Sequence, residues 1–320
     1  MTDTVNPETQ PTPDRPATPN VLEASMAERK TARRERWRLL RRRPGFIIGV
    51  FIAGFWTTCA ILGDRITPYD PFKDRDGLSC GRAPCAPSKA HWFGTDKIGR
   101  DILSRVMMGA RDLLMVAPVA AVLSIIFGTI LGMLMGYYRG VVDNVLSRIV
   151  EAFLALPVVM VGLFILTLSK DSAILDAISL GSRNVIIIYV VALLFTPIVA
   201  RTVRATVMGE RDLDYVVSAK LRGESSSFIM TREILPNITA PIIVELTVRI
   251  GYSIFTVATL SLLGVGLQRP SPDWGLAIAE GRDLLPADQW WPVTFPALAI
   301  ATLVVAVNLI ADSIQAVYER

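Results

Sequence analysis

Six stretches of this 320-residue chain are apolar and free of Asp, Glu, Lys and Arg: 45–63, 113–138, 152–169, 184–200, 250–268 and 289–311. A bilayer core about 30 Å thick takes roughly 20 helical residues to cross. Backbone polar groups cannot stay unpaired in lipid, so each run is predicted to be a helix. The expected fold is therefore an all-α integral membrane protein with six transmembrane helices. Charged residues make up 19% of the chain, against about 25% in an ordinary soluble domain. A soluble enzyme, a fibre and a wholly disordered chain are excluded.

The inventory of reactive residues is thin. His91 is the single histidine, and there are three cysteines, so no zinc-ligand spacing and no Ser-His-Asp set can be built. No metal site is expected. A GxxxxGK[ST] phosphate loop is absent, so the chain by itself is not expected to be an enzyme that hydrolyses nucleotide.

Five prolines, Pro7, Pro11, Pro13, Pro16 and Pro19, lie among polar residues at the start of a predicted disordered cytoplasmic tail, 1–27. Residues 28–43 carry nine Lys/Arg and two Glu. Nucleic-acid binding would suit that charge. A basic juxtamembrane helix suits it better, because Trp37, Leu39 and Leu40 are set for headgroup depth and a span follows at once. The net charge of +4 is then a matter of anionic lipid, with no nucleic acid as partner. Nine basic residues before the first span (44–63) place both termini in the cytoplasm; with six spans, inner segments hold 19 Lys/Arg and outer loops 13.

Within the second run, Gly128, Gly132 and Gly136 recur at four-residue spacing and predict one small helix face for close packing. Pro157 and Pro197 predict kinks in runs three and four, serving either gating or static packing. Glu245 and Arg249, four residues apart near the cytoplasmic half of the fifth span, share a helix face; a residue pair lining a transport path and a local ion pair both fit.

Two loops are informative. The first, 64–112, is expected outside the cell. There Cys80 and Cys85 fit a short disulfide or two free thiols. Thr95 or Asp96 can cap an amphipathic helix lying on the outer membrane face, with Ile102, Val106 and Leu113 on its apolar side and Arg100, Asp101, Arg105 and Asp112 as the polar remainder. The second loop, 205–237, reads as helix, Gly223, helix. Tyr215, Val216 and Ala219 make a small apolar face on it, and Ser225 or Ser226 caps its second half. A docking element for another protein and a solvated connector are the two readings; its length and patterning favour docking.

Residues 215–236 resemble the EAA loop of binding-protein-dependent ABC importer permeases: Val217-Ser218-Ala219 stands in the EAA place, Gly223 keeps the spacing, and Leu235-Pro236 closes the motif. Val217 replaces the usual Glu and Ser218 the usual first Ala. His91, Gly94, Thr95, Asp96, Gly99, Arg100, Asp101, Ser104, Arg105, Gly109, Ala110 and Arg111 are similar to the outer-loop signature of the dipeptide/oligopeptide (and nickel) importer permeases, of the kind called DppC or OppC. Residues 261–266, 270–275 and 280–282 are similar to the same subfamily.

The resemblance implies a type I importer permease core in spans 2–6 (113–318), with the first span peripheral. It implies a prokaryotic cytoplasmic membrane, a homologous second permease, two ATPase subunits, an extracytoplasmic substrate-binding protein, and peptide or a similar solute as cargo. ATP and Mg would be used by the ATPases, with no cofactor on this chain. Tyr215, Val217, Ser218, Ala219, Gly223 and Phe228 would couple to the ATPase. Nickel complexes or haem are the alternative cargoes. An ATP-independent secondary transporter or channel is the alternative of another class, disfavoured because no inverted repeat is visible.

Overall fold

The computed structural model describes residues 37–73, 83–169 and 182–318. The tail 1–36, and Cys80, lie outside the described residues, so the expected disordered tail and most of the basic segment 28–43 do too. Helix α1 is Pro44–Ile66, opened by a proline whose missing N–H costs nothing in a first turn. Next come α2 (Ile102–Tyr137), α3 (Val141–Leu154), α4 (Val158–Leu168), α5 (Arg183–Glu210) and α6 (Asp214–Leu221). A hairpin return follows, made of Ser226–Phe228, a π-helical turn Ile229–Ile234 and Leu235–Asn237. The chain ends with α7 (Thr239–Leu262), α8 (Trp274–Gly281), a 3-10 turn Arg282–Ala287 and α9 (Trp291–Tyr318). Among the described residues the only strand-like feature is one isolated bridge, Thr95–Asp101.

Among the described residues five helices are long and apolar enough to cross a membrane: α1, α2, α5, α7 and α9. The third expected span takes another form. α3 and α4 meet at 89° across a short break, and they count as a sixth span only if taken together. Pro157 does more than kink a helix here. It sits at the N-cap of α4 in extended conformation, has no N–H to donate, and disfavours helical geometry at Leu156. Pro197 lies inside an unbroken α5.

Two further boundaries moved. α7 runs over 239–262, whereas the uncharged run covers 250–268, so the helix takes in Glu245 and Arg249, as their expected place within the fifth span requires. The apolar residues after 262 turn away through Gly264 at φ +80. The expected surface helix of the first loop is instead the first three turns of α2, which runs unbroken for 36 residues, about 54 Å. The domain boundary expected at 112/113 therefore falls within one helix.

Hydrocarbon chains are as apolar as leucine, so close backbone approach and van der Waals contact hold such helices together. α2 and α5 are the tightest pair. Gly128, Gly132 and Gly136 face Val199, Val203 and Val207, and a Cβ built on Gly132 would lie 2.6 Å from the Ala200 carbonyl oxygen. α1 lies at the periphery. Ile47, Phe51, Phe55 and Ile61 are exposed, while Gly49 comes so near α9 that a Cβ there would lie 2.7 Å from Ala306 O. Arg43 donates to Ala316 O at 3.3 Å, which puts the start of α1 and the end of α9 at one end of the bundle. Among the described residues three apolar cores result: one around Leu113, Ile187, Ile254, Leu260, Trp274 and Leu303, a second around Val203, Val207, Val216, Ile229 and Ile234 beneath the hairpin, and a small third of Met135, Val150 and Ala200.

Candidate functional site

The hairpin forms where α5 ends. α6 turns its Val216 and Ala219 inward, both fully buried against the π-turn residues Ile229 and Ile234. This corrects the expected docking face: Ala219 is a core residue and cannot touch a partner. The exposed apolar positions are Leu213, Val217 and Leu221, at four-residue intervals, with Phe228 across the turn. Leu221 is 84% exposed. Sequence reasoning missed Leu213 and Leu221, although four-residue spacing from Val217 marks both. Ser218 and Gly223 are exposed. Gly223 adopts φ +81, a conformation in which a Cβ is costly, and it closes α6 as a left-handed C-terminal residue does. Ser225 Oγ accepts from Phe228 N and starts the return.

Tyr215 is half-buried and donates its hydroxyl to Glu210 Oε2 at 2.6 Å. Burial, and then that carboxylate, push the phenol up to about 12. It acts as a strut between α5 and α6. Other struts fix the hairpin to the end of α2. Arg211 donates through Nη1 to the carbonyl of Gly136. Arg139 Nη2 donates to both carboxylate oxygens of Asp212 at 2.7 and 2.6 Å. Lys220 donates to Arg211 O at 3.3 Å and lies over the Tyr137 ring. Arg204 grips Asp143 with two hydrogen bonds, 2.6 and 2.7 Å, tying α5 to α3. An exposed apolar stripe is thus rigidly linked to the two most closely packed helices.

The signature residues gather at the opposite end. Thr95 is fully buried: its Oγ1 accepts from Cys85 N, and its carbonyl accepts from Trp291 Nε1. Gly94, at φ +75, leaves no room for a Cβ beside Trp291. Asp96 does not cap a helix. Its Oδ1 accepts from the N–H groups of Ile98 and Arg100, shaping a tight turn through Gly99 at φ +87. The cap of α2 is Asp101, which accepts from Ser104 N at 2.8 Å and contacts His91 Nδ1 at 2.9 Å.

Arg100, Asp101 and Arg105 are buried, which corrects their expected place on a headgroup-facing surface. Arg100 donates to Asp96 Oδ2 and to Glu280 Oε2, both at 2.7 Å. Arg105 stands 3.6 Å from Glu280, and Arg269 donates to the other Glu280 oxygen. Burial raises the Glu280 pKa, but the hydrogen bond from Arg269 and the charges of Arg100 and Arg105 outweigh it and hold the carboxyl below its usual value. Asp273, the cap of α8, has no such cation; burial pushes it up to about 6. Trp274 donates to Val106 O at 2.8 Å and Ser271 to Asp112, so this hub bolts the start of α2 to α8. Cys85 is buried and disulfide-bonded, whereas Cys59 is free.

Residues 128–320 match the family described as the binding-protein-dependent transport system inner membrane component. The whole chain is 35% identical to a putative peptide transport system permease protein of Brucella suis, covering 98% of it. It is 34% identical to the dipeptide transport system permease protein DppC of Haemophilus influenzae, over 89% of this chain and 94% of that one. It is 36% identical to the glutathione transport system permease protein GsiD of an Escherichia coli strain, over 89% of each.

Proposed function

Because the chain belongs to the binding-protein-dependent transport system inner membrane component family, we propose that it is one of two permease subunits of an ATP-driven peptide importer. It supplies half of the path and no catalytic group. The bottom of the hairpin is cytoplasmic, as are both termini. The basic flank supports this orientation, as does the Arg43–Ala316 contact that brings the two ends of the described chain to one side. The observation that carries the reading is the exposed stripe Leu213, Val217, Leu221 and Phe228 on a hairpin strutted to α2 and α5. An unpartnered apolar stripe of this kind fits a groove on a separate ATPase.

ATP and Mg are held by that ATPase. When two ATPase subunits close, the hairpin moves with them. Because Arg211, Arg139 and Tyr215 fasten it to the helices behind, α2 and α5 move as a body and the path switches sides. The named relatives carry peptides, dipeptides and glutathione, which supports a short peptide as cargo delivered by an extracytoplasmic binding protein. Reconstitution with both ATPases, the second permease and the binding protein should give peptide uptake that requires ATP. Peptide uptake by this chain alone in lipid vesicles would overturn the reading.

A further inference from the structure

Charge inside a membrane helix needs a partner or water, because hydrocarbon supplies neither. Glu245 and Arg249 are the seventh and eleventh residues of the 24-residue α7, about 9 and 15 Å along it. Their side chains are only 13% and 11% exposed, and Arg249 Nε lies 2.8 Å from Glu245 Oε1. Those two atoms nevertheless make no hydrogen bond. The charges neutralise each other, but the geometry leaves one carboxylate oxygen and the guanidinium Nε without a hydrogen bond.

The surroundings show which way the pair opens. The Arg249 guanidinium lies 5.7 Å from the centre of the Phe195 ring on α5 and 5.0 Å from that of Tyr252. Phe195 is buried; Tyr252 is exposed, together with Phe255 three residues on, on the neighbouring part of the same helix surface. The pair therefore sits at the border between the α5–α7 packing and an open flank of α7. Lipid against that flank would leave two poorly bonded charges beside hydrocarbon, so protein or an aqueous path faces it.

We propose that Glu245 and Arg249 form a charge-exchange station for a zwitterion. Arg249 takes the carboxylate, and Glu245 the ammonium, of a short peptide with free ends. The inference rests on the importer reading above and names the solute chemistry it admits. Between passages the two residues neutralise each other. As a zwitterion arrives, each changes partner, and no lone charge is left buried at any stage. The faces of Tyr252 and Phe195 hold the guanidinium while it does so. A solute with a single charge would leave one member of the pair alone, so the station favours peptides with two free ends.

The test uses the complete complex with its ATPases and binding protein, at matched amounts of assembled complex, and uptake of a dipeptide with free ends. Glu245→Gln, Arg249→Gln and the double Gln variant should each lower uptake at least tenfold. A purely structural pair predicts otherwise, because the double variant leaves no orphan charge; its uptake at the wild-type rate would overturn the proposal. The exchange variant, Glu245→Arg with Arg249→Glu, keeps an ion pair for folding and reverses the order of charges. It should also lose at least tenfold, and wild-type uptake by it would overturn the proposal equally. A wild-type complex that hydrolyses ATP but moves no peptide would overturn the peptide-importer reading itself.

Discussion

Arg100 and Glu280, separated by 180 residues of sequence, share a 2.7 Å hydrogen bond inside a buried hub. The bond makes the start of α2 and α8 one mechanical unit. Glu280 faces three arginines, Arg100, Arg105 and Arg269, and only Arg269 is largely exposed. Removing one partner of a buried pair costs about 3–5 kcal/mol because the other charge stays behind. Glu280→Gln should therefore lower the unfolding midpoint of the purified permease by many degrees. Arg269→Ala, at a guanidinium 60% exposed, should cost about 1 kcal/mol or less. Thermal unfolding in detergent separates the two; equal losses would refute the hub.

Asp273 and Glu280 should respond to pH in opposite senses. The Asp273 carboxyl is raised from 3.8 to about 6 in the folded chain. The folded state then binds the extra proton, so stability falls as pH rises from about 4 to 6, by something on the order of 3 kcal/mol. Glu280 is lowered, so its contribution is present above its ordinary value and is lost as pH falls through the folded pKa. Asp273→Asn keeps a capping side chain for Leu276 N and removes the ionisation. It should raise stability at pH 7.5 and flatten the pH 4–6 slope, while the acid loss from Glu280 remains. Unfolding midpoints at pH 5 and 7.5 decide the matter.

On the hairpin, burial predicts two kinds of failure. Leu221→Asp places a charge on the exposed stripe. It should leave insertion and the amount of chain unchanged while lowering ATPase co-purification and uptake at least tenfold. Ala219→Asp buries a charge in the hairpin core and should reduce the amount of folded chain. Western blots of membranes, read beside uptake, distinguish the cases; normal uptake by Leu221→Asp would remove that residue from the coupling surface.

Gly223 offers a cleaner comparison. A Cβ there meets nothing within 4 Å, and φ is +81, so the cost of a side chain is conformational and about 1–2 kcal/mol. Asn and Asp both enter that conformation more readily than other side chains. Gly223→Asn should retain most uptake, whereas Gly223→Asp should abolish it with insertion intact. Equal uptake by the two would show that no anion-sensitive partner covers the turn.

Close packing of α2 on α5 makes the third kind of position. A Cβ at Gly132 would lie 2.6 Å from Ala200 O and 2.7 Å from Val203 Cβ. Gly132→Ala should cost about 1–3 kcal/mol through forced separation of the helices. The same change at Gly54, which has nothing within 4 Å, should be close to neutral. Paired thermal unfolding measurements check this.

Apolar periodicity and chemical inventory were enough to establish an all-α membrane chain, the small-residue face at Gly128, Gly132 and Gly136, and the hairpin turning at Gly223. Each follows from one stretch of sequence: lipid demands helices, glycine permits close approach, and a glycine between two helical patterns marks the turn. Long-range packing decided the rest. Which side of α6 is buried depends on Ile229 and Ile234 folding back onto it, so Ala219 reads as exposed until that contact exists. Arg100, Asp101 and Arg105 look like a headgroup-facing edge until α8 brings Glu280 to them. The far end of α7 was hidden because the uncharged run continues to Gln268, whereas the chain leaves the helix after Leu262 and turns through Gly264. Local propensity cannot carry such information, because the partner that makes each charge or small side chain tolerable lies on another helix or another turn.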